Sequence, residues 1–288
     1  MVADGGTTLW WIWPIALFAV TFVLGMVAVL GGVGGGVLFV PIVGAFFPFH
    51  LDFVRGAGLL LALTGALSAA PSLLRSGLAS LRLAMPLALV GSIASICGAL
   101  IGLALPTDAL QTALGVIILV LVGLMAAAKS DDYPDVGKAD TLAAAFGLQG
   151  LYFDGVAQRK VEWRVHRTPA GLAAFAVIGL VGGLFGLGAG WANVPALNLL
   201  MGVPIKLAVG TSGLAISIIN TSAAWIYLSR GAVLPMVVAP SIIGVMLGAK
   251  IGVRLLLVAP PAVVRRTVMT LLILAGARVL LKGLGIWS

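Results

Sequence analysis

The fold is decided by two glycine-rich stretches, Gly31-Gly32-Val33-Gly34-Gly35-Gly36 and Gly186-Leu187-Gly188-Ala189-Gly190. They lie inside two apolar runs, 5–51 and 168–205, which contain no Asp, Glu, Lys or Arg. Both runs are much longer than the roughly 20 residues that one membrane helix needs. Glycine-rich backbone is tolerated at membrane depth only where protein or a polar cavity satisfies its amides and carbonyls. We therefore predict that each run breaks at its glycines.

The two stretches occupy matching places in a duplicated unit. Adding one constant to the numbering carries Pro41 onto Pro195 (195 − 41 = 154). The same constant pairs Gly34 with Gly188, Gly36 with Gly190, Gly56 with Gly210, Ser68 with Ser222 and Pro86 with Pro240. A duplicated hydrophobic unit with matched Gly and Pro breaks is a recurring layout of secondary transporters. In those proteins the interrupted helices meet near the bilayer midplane and form the binding site.

Composition places the chain in the membrane. It is 61% hydrophobic and 9% charged, with a mean hydropathy of +1.19, far outside the soluble range. The apolar pattern is continuous rather than alternating, which excludes an exported β-barrel. We predict an all-α membrane protein with eight transmembrane segments in two four-helix repeats, the first segment of each repeat being broken. The predicted units are a first repeat (10–128), a polar linker (129–168) in which 148–153 and 160–166 pair as a short hairpin, and a second repeat (169–284).

The distribution of Lys and Arg predicts an orientation. If each broken segment crosses the membrane once, the N-terminus, the linker and the C-terminus share one side. That side carries eleven of the 17 basic residues and the other side carries six. Because basic residues concentrate in cytoplasmic loops, we predict a multi-pass protein of the cytoplasmic (inner) membrane with both termini in the cytoplasm.

Few groups are suited to catalysis or metal binding. The helical repeats contain two acids, Asp52 and Asp108, and His50 is the one histidine outside the linker. Cys97 is the sole cysteine, so thiolates cannot form a metal cluster. We therefore predict neither catalytic residues, nor a metal site, nor a cofactor. The net charge of +8 comes from basic residues scattered at helix ends and in the linker, which argues against nucleic-acid binding.

The remaining polar chemistry consists of backbone amides, hydroxyls and carboxamides. Amides exposed at the start of a half-helix attract anions, and half-helices are predicted at 37–47 and 191–201. Pro41 and Pro195 are structural residues expected in the first turn of each. The predicted substrate-binding residues are Gly34, Gly35, Gly36, Gly188, Ala189, Gly190, Asn193, Gly210, Thr211, Ser212, Ser217 and Asn220. Close helix packing is the alternative for the glycines, and a helix–helix hydrogen bond is the alternative for Asn220.

The motifs resemble a known family. The stretch Gly186–Gly190 through Val194-Pro195, followed by Met201–Lys206 and Gly210-Thr211-Ser212, is similar to the TauE/SafE sulfite exporter family. The resemblance implies transport of small sulfur-containing anions such as sulfite, thiosulfate or sulfonates. Ala189 stands where that family usually has glycine. Because alanine resists left-handed backbone, the anion would then rest chiefly on the glycines of the first break.

The leading hypothesis is a carrier that binds a small sulfur oxyanion between the breaks and works by alternating access of the two repeats. A passive anion channel on the same frame is one alternative. A non-transporting scaffold that docks a partner through 129–168 is another. The expected partners are the oxyanion and the lipid bilayer, with a homodimer as an open arrangement.

Overall fold

The computed structural model describes residues 11–31, 35–75, 77–127, 134, 139–154, 159–188, 190, 192–256 and 261–286. Gly34 and Ala189, two of the predicted site residues, lie outside these ranges. The first repeat contains α1 (Ile12–Gly31), α2 (Gly35–Phe46), α3 (Leu51–Arg75), α4 (Leu81–Ala104) and α5 (Thr107–Ala127). The linker contains α6 (Thr141–Ala145), β1 (Gln149–Asp154) and β2 (Arg159–Arg164). The second repeat contains α7 (Thr168–Phe185), α8 (Asn193–Pro195) with its π-helical continuation Ala196–Leu200, α9 (Ile205–Ser229), α10 (Pro235–Leu256) and α11 (Pro261–Gly283).

The helices follow the long apolar runs. Within the described residues, α4, α7 and α9 are long and apolar enough to cross a membrane, and shorter apolar stretches lie in α1, α2, α5 and α10. Pro and Ser residues fix several boundaries. For example, Ser80 caps α4 through its hydroxyl, which accepts the Leu83 amide at 3.4 Å.

The chain reverses direction after α1. Trp13, in the first turn of α1, packs edge-on against Phe47 and Phe49, with ring centroids 5.9 and 6.0 Å apart. Phe47 directly follows the end of α2. The start of α1 and the end of α2 are therefore neighbours, and α2 is a half-helix that returns towards the end from which α1 began.

The second repeat reverses in the same way. The amide of His166, just before α7, donates to the carbonyl of Met201, just after the π-helical turn, at 3.2 Å. The single crossing of each broken segment, which the predicted orientation assumed, therefore does not hold. The physical reason is that each apolar run is long enough for a full helix and a returning half-helix, and its glycines permit the reversal. The predicted grouping of the termini with the linker depended on that assumption and has no support from this arrangement.

Helix pairing shows how the repeats are related. Helices α3 and α9, which are 154 residues apart, are antiparallel, because Gly56 lies against Ala232 and Gly210 lies against Leu78. Helices α5 and α11 are antiparallel as well, with Gly115 against Leu280 and Gly283 against Thr112.

The remaining long helices each pair with a helix of the other repeat. Helix α1 runs parallel to α10, and its counterpart α7 runs parallel to α4; for example, Gly91 lies against Gly179 and Gly98 against Leu184. This pairing is the one expected of an inverted repeat, in which a two-fold axis perpendicular to the helices would relate the halves.

The bundle has two distinct ends. The termini end holds the starts of α1, α3, α5 and α10 and the ends of α2, α4, α9 and α11. The linker end holds the opposite end of each long helix, together with α6, β1 and β2. The contacts that define the two ends include Arg278 over the Phe46 ring at the first and Gly210 against Leu78 at the second.

The linker packs on the bundle. Strands β1 and β2 pair antiparallel, with Gln149 opposite Arg164 and Asp154 opposite Arg159. Tyr152 and Trp163 are buried in one cluster with Leu83 and Met201.

Asp140 joins this linker to α7. Its carboxylate accepts the Ala143 amide at 2.7 Å, the Thr168 amide at 2.6 Å and the Thr168 hydroxyl at 2.8 Å. Burial raises the pKa of Asp140, but these hydrogen bonds and the nearby His166 outweigh it, so the pKa lies below its ordinary value.

Candidate functional site

The two breaks meet inside the bundle. A Cβ added to Gly36 would lie 2.7 Å from the Gly58 carbonyl oxygen and 2.8 Å from the Leu187 carbonyl oxygen. The first turn of α2 therefore touches the second break directly, and α3 contacts both at this point. Such an approach requires glycine at position 36, because any side chain would push the three segments apart.

Ala62 of α3 locates the meeting point along the bundle. Its methyl carbon lies 3.3 Å from an added Cβ on Gly36 and 3.0 Å from one on Gly188. Ala62 is about 16 Å along α3 from Leu51, at about 1.5 Å per residue, and α3 continues to Arg75. The breaks thus meet near the middle of the helices. From there, α2 runs to the termini end and the 193–200 segment runs to the linker end.

The second break has left-handed backbone. Gly186 has φ +69° and Gly188 has φ +73°, conformations that cost little only for glycine. Gly186 also ends α7 as its C-terminal cap. An added Cβ on Gly188 would lie 2.9 Å from Asn220 Nδ2. The break is therefore held against the carboxamide of Asn220, which is 1% exposed.

Asn193 is the predicted site residue with the clearest unfilled bonding capacity. It begins α8, is 0% exposed, and neither its Oδ1 nor its Nδ2 has a hydrogen-bond partner among the described residues. Leaving a buried amide unpaired is costly. Asn198, in contrast, donates to the Val203 carbonyl at 2.9 Å and stabilises the end of the π-helical turn.

The predicted site residues of α9 differ in whether their polar groups already have a partner. Gly210 lies against the Leu78 carbonyl, and the Thr211 hydroxyl accepts the Ser80 amide at 3.1 Å, so both hold the α3–α4 loop on α9. Ser217 donates to the Leu214 carbonyl of its own helix at 2.7 Å. Ser212 is 2% exposed, and its hydroxyl has no partner in the part of the chain that the structure describes.

The first break differs in detail from the prediction. Helix α2 begins at Gly35, two residues earlier than predicted, because glycine can take helical geometry there. Pro41 therefore lies inside α2 and not in its first turn, and the prediction for Pro41 is wrong. Its ring removes the amide that would bond the Val37 carbonyl. Pro195 does lie in the first turn of α8. Gly35 packs beside Val245 of α10, and Gly190 is half-buried.

Sequence reasoning missed Arg55. Its side chain is 0% exposed, donates to the carbonyls of Leu184 (2.8 Å) and Gly102 (3.1 Å), and pairs with Asp52. The spacing of Asp52 and Arg55, three residues apart on a helix, was the available signal.

Ser92 and Ser95 of α4 were missed as well. Both hydroxyls are buried and lack a partner among the described residues. Two serines three residues apart in an apolar span were the signal for them.

Metal chemistry finds no support in the described part of the chain. No group of three or more His, Cys, Asp or Glu side chains lies close enough there to hold a metal ion. The polar groups at the breaks are amides, carbonyls, carboxamides and hydroxyls, which suit a small solute held by hydrogen bonds.

Comparison with known proteins identifies the family. The profile of the family described as Sulfite exporter TauE/SafE matches residues 17–279. The chain is also similar to "Probable membrane transporter protein YunE" of Bacillus subtilis (strain 168), with 29% identity over 119 residues. That similarity covers 41% of this chain and 44% of the relative, so the chain matches less than half of the relative's length. No solved structure matches. Because the family profile covers nearly the whole chain, the protein belongs to the TauE/SafE sulfite exporter family.

Proposed function

We propose that this protein carries a small sulfur-containing oxyanion (sulfite, thiosulfate or a sulfonate) across the cytoplasmic membrane. The observation that carries the proposal is the meeting of Gly36 with the second break near the middle of an inverted repeat. Half-helices that start there direct the positive ends of their dipoles inwards. Family membership supports a sulfur anion as the substrate.

The proposed binding site uses predicted residues of the two breaks, of α8 and of α9. Amides around Gly34, Gly35, Gly36, Gly188, Ala189 and Gly190 provide donors to the anion. The carboxamides of Asn193 and Asn220 and the hydroxyl of Ser212 complete it, since carboxamide NH₂ and hydroxyl groups donate to oxyanions. Gly210, Thr211 and Ser217 support α9 through the contacts described above and act on the anion indirectly.

Alternating access follows from the symmetry. Each repeat contributes one break, so rocking one half against the other opens the centre to one end at a time. A passive channel would instead expose the centre to both ends at once. Counterflow separates the two, because a carrier exchanges labelled for unlabelled substrate and a channel only dissipates the gradient.

The reversed segments change the proposed orientation. Among basic residues in the described ranges, four lie at the termini end: Arg55, Arg230, Arg278 and Lys282. Eleven lie at the linker end: Arg75, Arg82, Arg159, Lys160, Arg164, Arg167, Lys206, Lys250, Arg254, Arg265 and Arg266. By the positive-inside rule we propose that the linker is cytoplasmic and that both termini lie on the opposite side.

The test is uptake by purified protein in proteoliposomes. Sulfite-loaded vesicles should accumulate labelled sulfite by counterflow, and thiosulfate or a sulfonate should compete. Gly36→Ala should reduce exchange, because its methyl group must displace the Gly58 or Leu187 carbonyl. Gly123→Ala is the matched control, because no atom lies within 4 Å of its added Cβ. If wild-type vesicles exchange none of these anions, the proposed function is wrong.

A further inference from the structure

A buried guanidinium lies beside the second break, on the side of the termini end. Arg55 is 0% exposed, and an added Cβ on Gly186 would overlap its backbone. Its Nη1 donates to the Leu184 carbonyl in the last turn of α7, and its Nη2 donates to the Gly102 carbonyl in the last turn of α4. The carbonyl ends of helices carry partial negative charge. Arg55 thus ties α3 of the first repeat to α7 of the second.

One full negative charge faces this guanidinium. Asp52 Oδ1 accepts from Arg55 Nη2, and its other oxygen lies 3.4 Å from His50 Nδ1. Exposure rises along this series, from 0% for the Arg55 side chain to 28% for Asp52 and 54% for His50. A series of polar side chains in contact with one another therefore leads from the surface of the termini end to the second break.

The surroundings of the pair contain few other ionisable groups. Helix α9 contributes Tyr227, whose ring centroid lies 5.6 Å from the Arg55 guanidinium carbon and whose hydroxyl donates to the Gly183 carbonyl at 3.0 Å. Asp108 of α5 and Arg230 after α9 lie at the same end. Neither forms an ion pair within the described segments.

The positions that correspond to this network at the linker end carry different residues. The constant of 154 carries His50 onto Pro204, Asp52 onto Lys206 and Arg55 onto Val209. The Asp52–Arg55 pair is therefore not repeated at the corresponding positions of the second repeat.

We propose that Arg55 is an anion-binding residue and that Asp52 is its exchangeable internal partner, so that the pair gates the site at the termini end. When this end opens, α3 leaves α7 and the guanidinium loses the Leu184 carbonyl. The substrate oxyanion then replaces Asp52 on Arg55, which can bind it through two N–H donors. The displaced carboxylate takes a proton from solvent beside His50, so one negative charge on the guanidinium is exchanged for another. This inference rests on the proposed function.

The test uses methanesulfonate, which stays singly charged between about pH 5 and 8, a range that includes the ordinary pKa of histidine. Any pH dependence of its exchange then comes from the protein. Wild-type exchange from the termini end should rise as pH falls. Asp52→Asn should abolish that dependence and lower KM, because the guanidinium no longer has a competing charge. In the double variant Asp52→Asn/Arg55→Gln, KM should be about ten- to hundredfold higher than in Asp52→Asn alone, because a charge-assisted hydrogen bond to the anion is lost.

Controls separate folding from binding. Arg230→Gln removes an exposed charge at the same end and should leave KM and the pH profile unchanged. Arg55→Lys keeps the charge and should retain more affinity than the double variant. If the double variant does not fold, the pH profile and KM of Asp52→Asn decide the question. Wild-type KM and pH dependence in either Asp52 variant would overturn the gate, while exchange by the wild type would leave the proposed function standing.

Discussion

Replacing Gly188 by alanine perturbs the second break at its most constrained point. The φ of +73° at this residue costs an L-amino acid about 1–2 kcal/mol. The new methyl carbon would lie 2.9 Å from Asn220 Nδ2 and 3.0 Å from Ala62 Cβ, so both neighbours must move. Overpacking of this kind costs about 1–3 kcal/mol. Together the two effects predict a destabilisation of about 2–5 kcal/mol, with Asn220 displaced from the break.

Thermal unfolding of purified protein in detergent, with and without sulfite, measures both consequences. Gly188→Ala should unfold at lower temperature than wild type and should gain less from sulfite, because stabilisation by a ligand depends on its affinity. Gly123→Ala should unfold at the wild-type temperature or slightly above it, since alanine is the better helix former by about 1 kcal/mol. If Gly188→Ala matched Gly123→Ala in both respects, the described geometry of the second break would be wrong.

Three further predictions follow from other parts of the structure. Asp140→Asn should lower the free energy of unfolding by about 1–2 kcal/mol. The loss should be most visible above pH 4, because the lowered pKa of Asp140 contributes stability that is present above the ordinary pKa and is lost as the pH falls through the folded value. Unfolding measured as a function of pH tests this, and equal acid sensitivity of variant and wild type would contradict it. Tyr227→Phe should lower the free energy of unfolding by about 1 kcal/mol, because it removes the hydrogen bond to the Gly183 carbonyl. An unchanged unfolding temperature would count against that bond. Alkaline phosphatase fused to the C-terminus should be active and a fluorescent protein fused there should be dark, because the proposed orientation places this terminus outside the cytoplasm. An inactive phosphatase and a bright fluorescent protein would instead support cytoplasmic termini.

The sequence was sufficient for the helices and for the location of the breaks. The glycines at 186 and 188 lie in an overlong apolar run, and hydropathy with the constant of 154 locates both breaks without any coordinates. The reversal of the chain was not predicted, because an apolar helix that crosses and an apolar half-helix that returns have the same composition. The aromatic residues Trp13, Phe47 and Phe49 held that information, since they belong to one end of the bundle.

The sequence indicated which types of residue form the candidate site, but not which contacts those residues make. Asn193 and Asn220 were chosen as carboxamides in apolar helices, and the structure buries both and brings Asn220 against Gly188 of the second break. The structural contacts of Gly210 and Thr211 depend on a loop from the other repeat, which no local pattern reveals. Arg55 was overlooked because a basic residue near a helix start usually snorkels to the interface. The homodimer stays a prediction.

The most direct measurement is a crystal structure with selenite, a pyramidal oxyanion like sulfite whose selenium is located by anomalous scattering. We expect the selenium between Gly36 and Gly188, with its oxygens about 3 Å from amides of the two breaks or from the carboxamide of Asn193. Selenium bound only at the basic residues of the linker end, with the central breaks closed against each other, would contradict the account.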